Sequence, residues 1–238
     1  MIKHTITHYY QPTHNTCSQA AMAMLLSSFG VTKTPEQIAI EMPVSRSSHG
    51  EEFGSINQQL ATWCIDQGFE VDLYSADFQV IDLSWADLRP EQLLERMDAA
   101  TGKHIIPALG DEFSNIYLQS YIDFVRAGGR LHIRAYMSSE ILDNTLKESP
   151  LLACVSYNVL YNIGRTHEFD PQNTGPDDIN GKVVNHSIVI YGKDDAGNYL
   201  IADPRYKPGR HTIEPKRLLA AMGAAEVECD NLFFRLRK

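Results

Sequence analysis

Runs with a helical period alternate along the chain with short runs that are apolar throughout or at every second position. Residues 2–10 alternate polar and β-forming side chains (Ile2, Thr5, Ile6, Thr7, Tyr9, Tyr10) and predict a strand. Gln11-Pro12-Thr13-His14-Asn15-Thr16 reads as a turn-rich loop. The run from Cys17 to Phe29 is rich in Ala, Met and Leu, with apolar residues on every side. That pattern predicts a helix buried most of the way round and stopped by Gly30. Further helices are predicted over 35–41, where Pro35 follows Thr34, and over 55–67, 90–99, 113–127 and 138–147. Gly128-Gly129 ends the fourth of these, and Ser138 is placed to cap the fifth. Strands are predicted over 69–74, 131–136, 151–157, 186–191, 199–202 and 231–236, with Asp194–Asn198 as a hairpin turn. Helices dominate the first half and antiparallel strands the second, so the fold class expected is α+β.

The 238 residues include 43% hydrophobic side chains, enough for a substantial core, and no repeat or linker interrupts them. A single domain, 1–238, is expected. Residues 164–182 hold three Gly, two Pro and three Asp and are expected to form a mobile loop. A net charge of −9 argues against nucleic acid as a partner, since phosphate contacts need clustered Lys and Arg. The one basic cluster, Arg235, Arg237 and Lys238, is expected to be a solvated tail. No apolar run reaches membrane-spanning length and the first residues carry no signal-peptide pattern, so a cytoplasmic protein without a membrane partner is expected. Cys17, Cys64, Cys154 and Cys229 show no close pairing and are read as free thiols, with Cys64 and Cys154 in the core. Nothing resembles a phosphate-binding loop, a dinucleotide fingerprint or a zincin helix, and His4 and His8 lack further ligands. Neither a cofactor nor a metal is expected.

Cys17 follows a polar loop and begins a helix, where unpaired N–H groups and the helix dipole favour the thiolate. His186 opens an apolar strand at the end of a Gly/Asp-rich loop, and Asp203 ends the next strand before Pro204. In a hairpin turning at 195–196, residue 188 faces about 203. That register brings Asp203 close enough to His186 to hold the second ring nitrogen. A thiol from a helix start with His and Asp from a hairpin is how a papain-like site is assembled. Gln11, six residues before Cys17, has an amide N–H₂ suited to an oxyanion hole with the Cys17 N–H. His14 and the turn Ser48-His49-Gly50-Glu51-Glu52 are weaker candidates for lining the cleft; a plain solvated loop is the simpler reading of both.

Tyr10-Gln11-Pro-Thr-His-Asn-Thr-Cys17-Ser-Gln-Ala-Ala-Met-Ala-Met-Leu25 resembles the Gln-x5-Cys-Gly-x-Ala-x-x-x-Met segment of bacterial C39 and C39-like cysteine peptidases. The block from His186 through Gly192-Lys-Asp to Asp203-Pro204 resembles their His-(apolar run)-Gly-x-Asp…Asp-Pro segment, and Leu151–Tyr157 resembles the strand before the histidine. The resemblance implies a papain-like fold and a peptide or protein substrate. It also implies Cys17 as nucleophile, His186 as general base and acid, Asp203 as its orienting partner and Gln11 as oxyanion donor. Two departures stand out. Ser18 replaces the usual glycine and is expected to narrow or reshape the acyl site, and extra helices are expected in an insertion at about 75–147. The same Cys, His and Asp serve a peptidase, an amidase or acyltransferase, or a toxin-type effector. Ser18 also leaves room for an inactive shell that binds a leader or signal peptide.

Overall fold

The computed structural model describes residues 2–46, 52–103, 106, 110–167 and 175–238. In chain order its regular elements are β1 (Ile2–Lys3), α1 (Cys17–Ser27), α2 (Pro35–Glu41), β2 (Ser45–Arg46), β3 (Glu52–Gly54), α3 (Asn57–Asp66), β4 (Glu70–Ser75), α4 (Pro90–Ala100) and α5 (Gly110–Arg126). Then follow β5 (Arg130–Ile133), α6 (Ser139–Leu146), β6 (Leu151–Ser156), α7 (Tyr157–Tyr161), β7 (Asn185–Lys193), β8 (Tyr199–Ala202), β9 (Arg210–Ile213), α8 (Pro215–Ala224) and β10 (Leu232–Arg237).

The main sheet runs β5-β4-β10-β6-β7-β8-β9, and β1 joins the far end of β7. All its pairings are antiparallel except β4 with β5. Strand β6 is buried at every residue. Its unbroken apolar run fits a strand covered on both faces. On one face α1, α3 and α5 pack over Leu152, Cys154, Val189 and Phe234. On the other, α6 and α8 cover Leu151, Ala153, Val155, Ile188 and Ile190. The mixed α+β class with a mainly antiparallel sheet is the one the sequence pattern predicts.

Helix α1 is buried from Ser18 to Leu26, as its all-round apolar pattern requires. Met22, Met24, Leu25 and Leu26 are each at most 1% exposed, and a fully buried side chain of this kind contributes about 1.5–3 kcal/mol. Packing on that scale outweighs the roughly 1 kcal/mol of an N-cap. Thr16 indeed makes no capping bond; its hydroxyl turns back to Thr13 instead. The first N–H groups of α1 therefore receive no side-chain cap from Thr16.

Three expectations change. The strand predicted over 2–10 shrinks to Ile2–Lys3, because later residues bond elsewhere: Thr7 N–H to Ser27 Oγ at 2.7 Å and Gln11 N–H to Pro204 O at 2.9 Å. The C-terminal basic cluster is not a solvated tail. Arg235 and Arg237 lie in β10, where Arg235 is 8% exposed and reaches Asp72 (2.9 Å) and Glu148 (2.6 Å), and Arg237 reaches Glu70 at 2.6 Å. Burial raises the Asp72 pKa, but its bonds to Arg130, His132 and Arg235 outweigh that and hold it below the ordinary carboxylate value. Finally, β2, β3, α7, β9 and α8 are not among the predicted elements. Of the candidate turn at 48–52, residues 48–51 lie outside the described residues, as do 168–174 of the loop 164–182. The described ends of that loop pair through Thr166 and Lys182.

Candidate active site

The start of α1, the start of β7 and the turn after β8 meet at one end of the sheet. Val189 pairs with Ala202, which places Ile188 opposite Asp203, the register expected from the turn position. His186 Nε2 lies 2.9 Å from Asp203 Oδ1. Since Nε2–H is committed to the carboxylate, Nδ1 is the ring nitrogen left for the thiol of Cys17, with which the ring interacts through hydrogen bonding and charge. The sequence-predicted Cys17, His186 and Asp203 therefore come together. Cys17 is half-buried, His186 is 5% exposed and Asp203 is fully buried.

Electrostatics separate Cys17 from the other thiols. Burial pushes its pKa up, but the His186 hydrogen bond and charge, the Ser187 backbone and the Ser18 hydroxyl outweigh that and lower it. Burial pushes Cys64, Cys154 and Cys229 the other way, well above an ordinary thiol. His186 is desolvated, which lowers its pKa, yet the charge and hydrogen bond of Asp203, with help from Cys17, raise it to about 10. Asp203 is held below the usual carboxylate range: burial opposes this, and the charge and bond of His186 and the bonds from Tyr161 and Tyr206 overcome it.

The carboxylate is clamped by four donors. Oδ1 accepts from His186 and from the backbone N–H groups of Arg205 (2.7 Å) and Tyr206 (2.9 Å), and Oδ2 accepts from the Tyr161 hydroxyl at 2.5 Å. An ionised carboxylate only accepts, so Tyr161 donates to it, and His211 Nε2, 3.0 Å away, donates to the Tyr161 oxygen. Tyr206 stacks flat on Tyr161 at 4.2 Å, and Tyr157 stands edge-on to His186 at 5.3 Å. His8 Nε2 bonds the Asp203 carbonyl at 2.9 Å and so supports the fold around this end, whereas His4 Nε2 bonds the Leu146 carbonyl at 2.6 Å near the far end of β7. Tyr157, Tyr161, Arg205, Tyr206 and His211 escaped the sequence reading. The i, i+4 spacing of Tyr157 and Tyr161 directly after a buried strand was the available signal.

Ser18 is 2% exposed, its hydroxyl 2.9 Å from that of Ser187 and 4.0 Å from Cys17 Sγ. Ser187 reaches Asn57 Oδ1 at 3.4 Å, and Asn57 Nδ2 donates to Cys154 Sγ at 3.0 Å. The residues following Cys17 and His186 thus tie the two elements together beneath the site. Gln11 lies in the loop before α1. Its amide N–H₂ donates within that loop, to Thr13 O at 2.7 Å and His14 O at 3.0 Å. His14 is exposed on the same loop.

Among the described residues no three His, Cys, Asp or Glu side chains are grouped to hold a metal ion, and no helix is long and apolar enough to cross a membrane. A family profile described as the Peptidase_C39 like family matches residues 3–221. No curated protein matches the chain. Among solved structures, a crystal structure described as a C39-like peptidase from Bacillus anthracis is similar in fold. Its TM-score is 0.52 at 12% identity, over 100% of this chain and 96% of that one.

Proposed function

Because the chain belongs to the Peptidase_C39 like family, we propose that it is a cysteine peptidase whose nucleophile is Cys17. The observation that carries this reading is the fully buried, four-donor Asp203 holding His186 beside the one thiol whose pKa is lowered. A raised imidazole and a lowered thiol favour the imidazolium–thiolate form at neutral pH.

The Cys17 thiolate attacks the peptide carbonyl carbon, and the electron pair of the C=O bond moves onto oxygen. The Cys17 N–H at the first turn of α1 has no helical partner and is one donor to that oxyanion. Gln11 is the second, once its amide releases one of the two loop carbonyls it now bonds. Collapse of the adduct breaks the C–N bond as the imidazolium of His186 gives its Nδ1 proton to the leaving amine. Neutral His186 then takes a proton from water, whose oxygen attacks the thioester and frees the acid and the thiolate. Asp203 keeps Nε2–H fixed throughout, so Nδ1 is always the nitrogen that moves the proton.

The contact of Ser18 with the nucleophile supports this reading over a peptide-binding shell, because its hydroxyl, 4.0 Å from Cys17 Sγ, helps to lower the thiol pKa. The test is digestion of a peptide library by the protein and by Cys17→Ala, with cleavage sites mapped by mass spectrometry. Cleavage by the first and none by the second is expected. Equal cleavage by both would remove Cys17 from the reaction.

A further inference from the structure

His186 protonates the leaving amine, so the leaving half of a substrate must run past the imidazole. Tyr157 stands against that ring, and the turn 204–209 follows the carboxylate that holds it. Tyr157 faces the His186 ring edge-on at 81°, and the Arg205 guanidinium carbon lies 5.7 Å from the centre of the Tyr157 ring. The turn is braced along its length. Asp203 Oδ1 holds the N–H groups of Arg205 and Tyr206, Tyr206 stacks on Tyr161, and Asp203 N–H donates to Gly209 O at 2.7 Å. Gly209 passes so close to the His8 imidazole that an added Cβ would lie 2.1 Å from Nε2. With Tyr206 committed to Tyr161, Arg205 and Lys207 flank it, and Lys207 Nζ lies 5.5 Å from the Tyr10 ring. Two cations thus stand on one fixed turn directly after Asp203, in a chain whose net charge is −9.

We infer that Arg205 is a specificity-determining residue that binds a carboxylate on the leaving-group side of the scissile bond, with the ring of Tyr157 holding the guanidinium at the right height. The half-buried guanidinium suits this: it is weakly hydrated, always charged and matches a carboxylate in two-point geometry. Burial lowers the Arg205 pKa, and Tyr157, which also shares a side-chain hydrogen bond with it, and the charge of Cys17 oppose that, so the guanidinium is within electrostatic reach of the thiol. The carboxylate has two sources, an Asp or Glu side chain in the leaving segment or the free C-terminus of a short leaving segment.

The inference rests on the cysteine-peptidase reading, and the test separates the two. Iodoacetate and iodoacetamide differ essentially in charge and alkylate the same thiol, so their rate ratio at Cys17 reports the local field without knowledge of the substrate. Arg205→Gln is expected to lower the iodoacetate-to-iodoacetamide ratio by roughly fivefold, as for a partly screened ion pair, and Arg205→Lys to restore part of it. In library digests, the protein should favour sites with a carboxylate within the two residues after the scissile bond. Amidating peptide C-termini tells the terminal source from the side-chain source. An unchanged ratio in Arg205→Gln, with Cys17 still reactive, overturns the inference and leaves the peptidase reading standing. A Cys17 inert to both reagents overturns both.

Discussion

Replacing Asp203 by Asn removes one charge from the site while the hydrogen bonds around it can re-form. The amide oxygen accepts from His186 Nε2 and from the Arg205 and Tyr206 N–H groups, as Oδ1 does now. The amide nitrogen then donates to Tyr161, whose own hydrogen turns to His211, 3.0 Å away, in its other tautomer. What is lost is the attraction between carboxylate and imidazolium, in contact at 2.9 Å. With charge centres about 4 Å apart and an effective dielectric near 20, that is about 4 kcal/mol, or about three pKa units. His186, now raised to about 10, should therefore titrate around 7 in the variant by this reckoning. The assay is a pH titration of the His186 ring by imidazole NMR in both proteins, and the alkaline limb of any activity should move down with it. The same pair sets a stability window. Asp203 contributes above its ordinary value of about 3.9, and the contribution is lost as pH rises through the His186 midpoint at about 10. A His186 midpoint that moves by less than one unit would refute the claim that the Asp203 charge sustains the imidazolium.

Two further outcomes follow from the surroundings. Ser18→Ala removes one side of the buried Ser18–Ser187 hydroxyl pair and should cost about 1–2 kcal/mol of stability; thermal unfolding checks this, and no change would mean that the pair braces nothing. Asp230 is 8% exposed, and burial, then the charge of Glu228, push its pKa to about 8. A carboxyl raised in this way favours folding at low pH and loses that contribution as pH rises through 8, so Asp230→Asn should gain stability over the parent at pH 8.5 and much less at pH 5, on the order of a few kcal/mol between the two. Equal melting shifts at both pH values would contradict the buried, protonated state of Asp230.

The parts of the site carried by local signals were legible in the sequence. A thiol at a helix start, a histidine opening an apolar strand and an aspartate at a hairpin's end are each set by near neighbours, and the turn at 194–198 fixes the register that joins the last two. The supports were not legible, because they depend on where distant segments meet. Tyr161 reaches Asp203 only because α7 follows β6 without a break, and His211 arrives on a third strand. The tail failed for the same reason: Arg235 and Arg237 look solvated until β10 is placed beside β4, where Asp72 is buried. The direction of the Ser18 side chain was not legible either, because it is decided by Ser187, 169 residues later. Helix α8 is a different case, since Pro215 and the apolar residues behind it carried a readable helical pattern.

The central claim is that Cys17 is a thiolate held by His186. It is tested most directly by the alkylation rate of each of the four cysteines with iodoacetamide across pH, mapped by peptide mass spectrometry, in the protein and in His186→Ala. Fast labelling confined to Cys17 is expected at about pH 5–6, well below the ordinary thiol midpoint of about 8.5, with its loss in His186→Ala. Slow labelling of Cys17 that follows an ordinary thiol titration in both proteins would contradict it.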